Sequence, residues 1–424
     1  MLNRSIPPSF KPIQAIELPP VERYELSNGI KVISAGYSDQ EIIKMELVFG
    51  SGYLYTELGG LSTLFSKLLL GGTAKKTSSQ LIESFDQFGG FVEISQGLQH
   101  LTLTLHGLRR FLPEYLRSII EILDECVFPE KELEIQKKIS QQNLSLNQEK
   151  PTYLARMAFK KQVFGSSHPF GRDISANDID LMNQEALVAF YNEYISGSSF
   201  KIFVSGKIEE TDIQTLNQFF GHRTLKPHTV KEVPPPDFSP AKILLEKKEN
   251  MQSTLRIGKP FPGRRHPDFF KLLVTNTTFG GYFGSRLMRN IREEKGFTYG
   301  ISSSINPVGD GAYWVLGSDV VKQNTLETLS EISKELSLIK KTEVSINELE
   351  TVKNYMCGSF AGSLTTPFEV MDRYKNLELF DLPADYYDLF VEHIHAVSPE
   401  DVMEMANKHW DEESFAEVIV GEKI

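Results

Sequence analysis

Residues 185–206 read EALVAFYNEYISGSSFKIFVSG, and residues 400–421 read EDVMEMANKHWDEESFAEVIVG. Shifted by 215 positions, Glu185 meets Glu400, Ser199 meets Ser414, Phe200 meets Phe415 and Gly206 meets Gly421. Each copy begins with apolar residues at helical spacing, crosses a short polar turn and ends in an apolar strand. A chain that closes the same way twice suggests a duplicated unit. Between the copies lies 221–240, GHRTLKPHTVKEVPPPDFSP, with Pro227, the Pro234-Pro235-Pro236 run and Pro240. Proline fixes φ and favours extended backbone, so this stretch reads as a semi-rigid linker. The organisation expected is a unit over 1–220, a linker over 221–240 and a second unit over 241–424.

Both halves share an order of elements. In the first, 30–34 and 43–49 read as strands. Leu58, Leu61, Leu64, Phe65, Leu68 and Leu69 give 58–70 a helical stripe. A second helix runs from Thr77 to Gly89-Gly90, and Leu101, Leu103 and Leu105 alternate with Thr102, Thr104 and His106 as a half-buried strand. Helices dominate 113–194. In the second half, strands are expected near 243–245 and 252–257 and helices over 267–279 and 285–294. Strands at 297–304 and 312–318 follow, then helices over 324–408. Strands followed by runs of helices predict an α+β fold: two homologous α/β-sandwich domains, antiparallel-rich, duplicated and clam-like.

The chain has 424 residues, a formal charge of −11 and a pI near 5.5. That balance argues against nucleic acid as a partner, since phosphate neutralisation needs surplus Lys and Arg. No apolar run approaches the roughly 20 residues that span a bilayer. MLNRSIPPSF at the start has no apolar core, so no Sec signal is expected, which favours the cytoplasm and leaves periplasmic export by another route open. Two cysteines, Cys126 and Cys357, supply neither a disulfide framework nor a Cys-based zinc site, and read as packed hydrophobes.

None of the nine histidines belongs to a helical metal pattern. His393 and His395 point to different helix faces and read as surface residues; His100, His106 and His168 read as structural. Gly280-Gly281-Tyr282-Phe283-Gly284-Ser285-Arg286 has no Walker lysine and follows a helix. It reads as a tight turn needing positive φ rather than a phosphate cradle. The informative stretch is 285–300, SRLMRNIREEKGFTYG. Its plain reading is a charged helix end, with Gly296 as the residue after the cap. A sharper reading brings Arg292 and Tyr299 together beyond that glycine, as a donor pair suited to a carbonyl oxygen gaining negative charge.

Here the sequence resembles the insulinase/pitrilysin superfamily, the zinc peptidases with the inverted H-x-x-E-H motif, and within it the bacterial branch similar to mitochondrial processing peptidase. The resemblance runs from about Glu17 to the C-terminus. Its frame comprises Asn28-Gly29, Gly50-Ser51-Gly52, Gly60-Leu61, Leu68-Leu69-Leu70, Gly72-Thr73 and Gly89-Gly90, in order. Inside the frame the chemistry is lost. The two histidine ligands fall on Thr63 and Lys67, the general-base glutamate on Ser66 and the third ligand on Asn143, in a register checked by Pro151. A protonated Lys67 repels a divalent cation, so no metal is expected in this chain. Arg292 and Tyr299, by contrast, match the pair with which family members hold the substrate carbonyl.

The resemblance therefore implies the non-zinc subunit of a heterodimeric peptidase, inactive alone. It would bind peptide or unfolded protein and lend Arg292 and Tyr299 in trans to a homologous partner that carries zinc. Neither nucleic acid nor a membrane is expected as a partner. The alternatives are an inactive structural or scaffold subunit, and a peptide-binding homodimer. The strand beginning FVEIS at Phe91 is the candidate for adding a substrate strand, and the acidic balance favours basic or extended peptides.

Overall fold

The computed structural model describes residues 11–226, 231–247 and 250–422. The first ten residues and Pro227 of the expected linker lie outside them.

The first half opens with strands β1 (Glu22–Glu25), β2 (Lys31–Ala35) and β3 (Ile42–Phe49). Helices α1 (Leu61–Leu68) and α2 (Ser78–Asp86) lead to the hairpin β4 (Phe91–Gln96) and β5 (Leu101–Leu108). Then come α3 (Leu112–Glu125), α4 (Glu130–Gln148), α5 (Pro151–Phe164), α6 (Ala176–Leu181) and α7 (Gln184–Tyr194), before β6 (Phe200–Gly206) and α8 (Glu210–Phe220). The second half carries β7 (Ala241–Glu246), β8 (Gln252–Phe261), α9 (Phe269–Asn276), β9 (Thr298–Val308) and β10 (Gly311–Val321). It continues through α10 (Thr325–Lys341), α11 (Ile346–Gly362), α12 (Pro367–Leu379), α13 (Phe390–Ala396) and α14 (Pro399–His409) to β11 (Ala416–Gly421). Local chemistry explains many of these bounds. Thr77 and Gln80 form a capping box that starts α2, and α5 and α12 each begin on a proline whose missing N–H costs nothing in the first turn.

The strand orders are β1-β2-β6-β3-β5-β4 and β7-β11-β8-β10-β9. Without β1 they are the same sheet twice: β2 matches β7, β6 matches β11, β3 matches β8, and the β5/β4 hairpin matches β10/β9. The fold is thus the duplicated α+β architecture expected, and β6 and β11 are the strands of the two quoted segments. Each sheet is antiparallel except for one parallel pair, β2 with β6 and β7 with β11.

One feature of the packing has no local signature. Helix α5, from the first half, lies on β8 and β11 of the second sheet, and its Ala155, Phe159 and Val163 are buried with Val418 and Val420. Helix α12, from the second half, lies on β2 and β6 of the first sheet, where Met371 is buried with Ile33, Val48 and Phe203. The two equivalent helices have exchanged sheets. At about 1.5–3 kcal/mol per fully buried large apolar side chain, this exchange is a major part of the contact between halves. Charges accompany it: Lys375 Nζ lies 2.6 Å from Glu46 on β3, and Lys44 Nζ lies 3.2 Å from the same carboxylate. The start of the chain crosses too, for Ile13 and Ile16 pack on the second half and Leu18 N–H donates to Asp388 (3.0 Å).

The linker is strapped down rather than spanning a gap. Asp237 N–H donates to the Phe164 carbonyl, and Lys231 N–H to the Tyr55 hydroxyl. His168 is buried; its Nδ1 accepts from Phe170 N–H (2.9 Å), so Nε2 carries the proton it gives to the Pro234 carbonyl (3.0 Å). The structural reading of His168 is correct. His395, read as a surface residue, is half-buried, and its Nε2 bonds the Ile13 carbonyl at 2.9 Å. Both cysteines are buried. Among the described residues no helix is long and apolar enough to cross a membrane.

Candidate functional site

Helix α1 buries Leu61, Leu64, Phe65 and Leu68 and turns Thr63 and Lys67 to solvent. The intervening Ser66 donates its hydroxyl back to the Thr63 carbonyl (2.9 Å). Helix α4 packs against α1 and carries Asn143, also exposed. The four positions thus lie on two neighbouring helices, at the end of the first sheet where Gln96 of β4 bonds Ser62 of α1. Two hydroxyls, an ammonium and an amide are not a zinc donor set, and Lys67 repels a cation. Among the described residues no three His, Cys, Asp or Glu side chains are grouped to hold a metal ion.

Arg292 and Tyr299 lie where the outer strand of the second sheet begins, at the end away from the β9/β10 turn. Arg292 belongs to a π-helical segment, Met288–Glu294, in which Lys295 N–H reaches back to the Asn290 carbonyl (3.0 Å). This wider turn is anchored from two sides. Arg286 grips Glu348 of α11 through two hydrogen bonds (2.8 and 2.9 Å), which raise its already high pKa. The Asn290 amide bridges Glu331 and Glu335 of α10, 2.8 Å from each, and its hydrogen bond helps hold Glu331 below the usual carboxylate range. Gly296 follows with φ +68°, so the chain reverses into β9 through a left-handed residue, as the cap reading expects.

Strand β9 is the outer strand of its sheet, and its pairing with β10 slips at Tyr299. Ile301 pairs with Ser318 and Thr298 with Val320, so Tyr299 and Gly300 together oppose Asp319 alone. This is a β-bulge, and it turns both residues outward: Tyr299 is 92% exposed. Arg292 does meet Tyr299, but through the main chain: Arg292 Nε donates to the Tyr299 carbonyl (3.0 Å), while the guanidinium lies 4.5 Å from the Phe283 ring centroid. The two side chains therefore share one corner, with the phenol projecting to solvent and the guanidinium braced beside it. Sequence spacing anticipates that the two residues lie close together and misses the bulge, for which Gly300 directly after Tyr299 is the available signal.

The glycine run before this segment needs correction. Gly280 and Gly281 lie in a second π-helical stretch, Thr277–Gly281, and none of Gly280, Gly281 and Gly284 has positive φ. Close packing is what requires glycine: a Cβ on Gly280 would lie 2.5 Å from Ser303 Oγ and 2.9 Å from Leu287 Cδ1. Beneath it, Asn276 Oδ1 accepts from Trp314 Nε1 and Ser303 Oγ, both at 2.8 Å, a buried network that sets α9 against β9 and β10.

Two family models match the chain: one described as insulinase (peptidase family M16) over residues 31–169, the other as peptidase M16 inactive domain over residues 182–356. The uncharacterized zinc protease YmxG of Bacillus subtilis is 25% identical over 401 residues, covering 93% of this chain and 96% of that protein. A crystal structure described as a peptidase M16 inactive domain from Pseudomonas fluorescens superposes with a TM-score of 0.86 at 20% identity, over 95% of this chain and 98% of that one. A protease from Helicobacter pylori superposes with a TM-score of 0.83 at 16% identity, over 96% and 100% of the two chains.

Proposed function

The chain belongs to the insulinase/pitrilysin superfamily, and from that membership we propose that it is the non-zinc subunit of a heterodimeric zinc metallopeptidase. In this reading it binds peptide and contributes Arg292 and Tyr299 to the metal site of a homologous partner. The observation that carries it is the chemical contrast between the two sites. Thr63, Ser66, Lys67 and Asn143 offer no metal donors, while an anchored π-turn and a β-bulge present Arg292 and Tyr299 at the surface. A 92% exposed phenol is accessible to a second chain. The metal and the water it activates belong to the partner; this chain's part is to donate hydrogen bonds to the scissile carbonyl as charge builds on its oxygen. Edge strand β4, with Phe91 58% exposed, is the candidate surface for an added substrate strand.

Co-purification with a homologue bearing an intact H-x-x-E-H, followed by peptide cleavage, tests the proposal. Arg292→Ala or Tyr299→Phe is expected to lower kcat by about 10²–10³, or about 3–4 kcal/mol, the scale of a lost oxyanion donor. Wild-type turnover by both variants would remove the role in trans. One observation favours a second reading, a scaffold or peptide-binding subunit: Arg292 is already engaged, by the Tyr299 carbonyl and the Phe283 ring. Under that reading Arg292→Ala lowers stability and leaves cleavage by the assembled complex unchanged.

A further inference from the structure

Beside α1 a cavity of about 340 Å³ opens between the 53–60 loop, α5 and the 169–174 loop, with Thr63 in its wall. It therefore adjoins the degenerate first ligand position. Its charges are unevenly matched. Arg172 is committed to the main chain, donating to the Thr56 (3.2 Å) and Glu57 carbonyls. The Asp173 carboxylate accepts from the Tyr153 hydroxyl (3.0 Å) and from Ile174 N–H (2.9 Å). Lys160 and Arg156, one turn apart on α5, complete the charges, with the Arg156 guanidinium 5.4 Å from the Tyr153 ring centroid.

The Lys160 ammonium sits 3.9 Å from the centroid of the Phe170 ring, and among the described residues no carboxylate lies within ion-pair distance of it. Burial, reinforced by Arg156 nearby and only partly offset by the Asp173 carboxylate in the same cavity, pushes its pKa down to about 8. The ammonium is thus partly stripped of water, with an aromatic face where a direct ion-pair partner would sit and Asp173 acting only from a distance. Tyr53, Tyr153 and Phe170 give the cavity aromatic walls, and it is cationic inside a chain whose net charge is −11. Helical periodicity would assign Lys160 and Arg156 to a solvated face. Because α5 is turned over to the second sheet, its polar edge becomes the wall of a cavity instead.

We propose that this cavity is a subsite for a carboxylate of a bound peptide, held by Lys160 and Arg156 beside the degenerate metal helix. The inference rests on the peptide-binding part of the reading above and adds a substrate class to it. It runs against the net charge of the chain, which by itself repels acidic peptides. A carboxylate entering the cavity gives Lys160 the partner it lacks and excludes water from a charge-assisted contact.

The test is a binding titration of the full chain with matched peptides in two arms. One arm compares glutamate with glutamine at successive positions of an amidated peptide. The other compares a free with an amidated C-terminus on a peptide with no acidic side chains. The arms separate a side-chain carboxylate from a terminal one. The acid form is expected to bind about tenfold tighter in at least one arm, the scale of one charge-assisted hydrogen bond. Lys160→Met should bring that ratio to near one, and Lys160→Arg should retain it. Raising the pH above about 8 should erode the ratio in the wild type but not in Lys160→Arg. Equal affinity for acid and amide in both arms, or a preference that persists in Lys160→Met, overturns the subsite and leaves peptide binding standing. Failure of every peptide to bind overturns the peptide reading itself, and the subsite with it.

Discussion

Replacing Lys375 by methionine probes the exchange of helices between the halves. Lys375 reaches from α12 across to β3, 2.6 Å from a Glu46 that is 4% exposed. Burial alone would push its ammonium pKa down, yet Glu46 and Asp372 raise it, so the charged pair is favoured in the fold. Removing one partner of a fully buried pair costs about 3–5 kcal/mol. Lys44 still sits 3.2 Å from Glu46, and Lys375 keeps some solvent contact, so the expected cost is about 2 kcal/mol. That corresponds to a fall of about 0.5–1 M in the urea midpoint. The assay uses an accident of composition: Trp314 and Trp410, the only tryptophans, are both buried in the second half. Their fluorescence reports that half, while far-UV circular dichroism reports both. Because each sheet is covered by the other half's helix, the two signals should trace one transition. Lys375→Met, a change on the first sheet, should then move both midpoints equally. If the fluorescence midpoint stays at its wild-type value while the circular dichroism splits in two, the halves unfold separately and the coupling argument fails.

Four further outcomes are expected. His168 and His409 are both held neutral, chiefly by burial, with pKa values below the ordinary 6.5. The unfolded chain therefore takes up their protons first as pH falls, so stability is present above about pH 6.5 and declines below it. Thermal melts from pH 7 down to about 5 should show Tm falling through this window, with a shallower fall in His168→Gln. Gly280→Ala should cost about 1–3 kcal/mol by overpacking against Ser303 and Leu287. Gly296→Ala, where a Cβ meets nothing within 4 Å, should cost only the roughly 1–2 kcal/mol of a left-handed backbone, most of which Gly296→Asn restores, as denaturant titration of the two glycine sites will show. Tyr299→Phe, at a 92% exposed position, should leave stability within about 0.5 kcal/mol of wild type, so any loss of cleavage by that variant in a complex reports on chemistry rather than folding.

The elements were legible where local pattern is strong. Alternating Leu and Thr give β5 at Leu101–Leu108, the Thr77 cap starts α2, and the matching ends of the halves anticipate β6 and β11 at equivalent places in their sheets. Helix α1 is shorter than its apolar stripe because Gly59 and Gly60 precede it, with Gly60 left-handed. Strand β1 escapes notice since Glu22–Glu25 is largely exposed and shows no alternation. The π-turn at Met288–Glu294 is equally silent, because what holds it open are carboxylates on α10 and α11, distant in sequence.

Duplication and the α+β class could both be read from the amino acids, because periodicity and capping are local properties. Which sheet α5 and α12 cover could not, since an apolar helix face is satisfied by any complementary surface, and the choice between sheets is made by packing among segments far apart in the chain. The same long-range packing turns Tyr299 outward on its bulge and leaves Lys160 partly dehydrated against Phe170. A side chain's type is written in the chain, but its solvation and direction come from its neighbours.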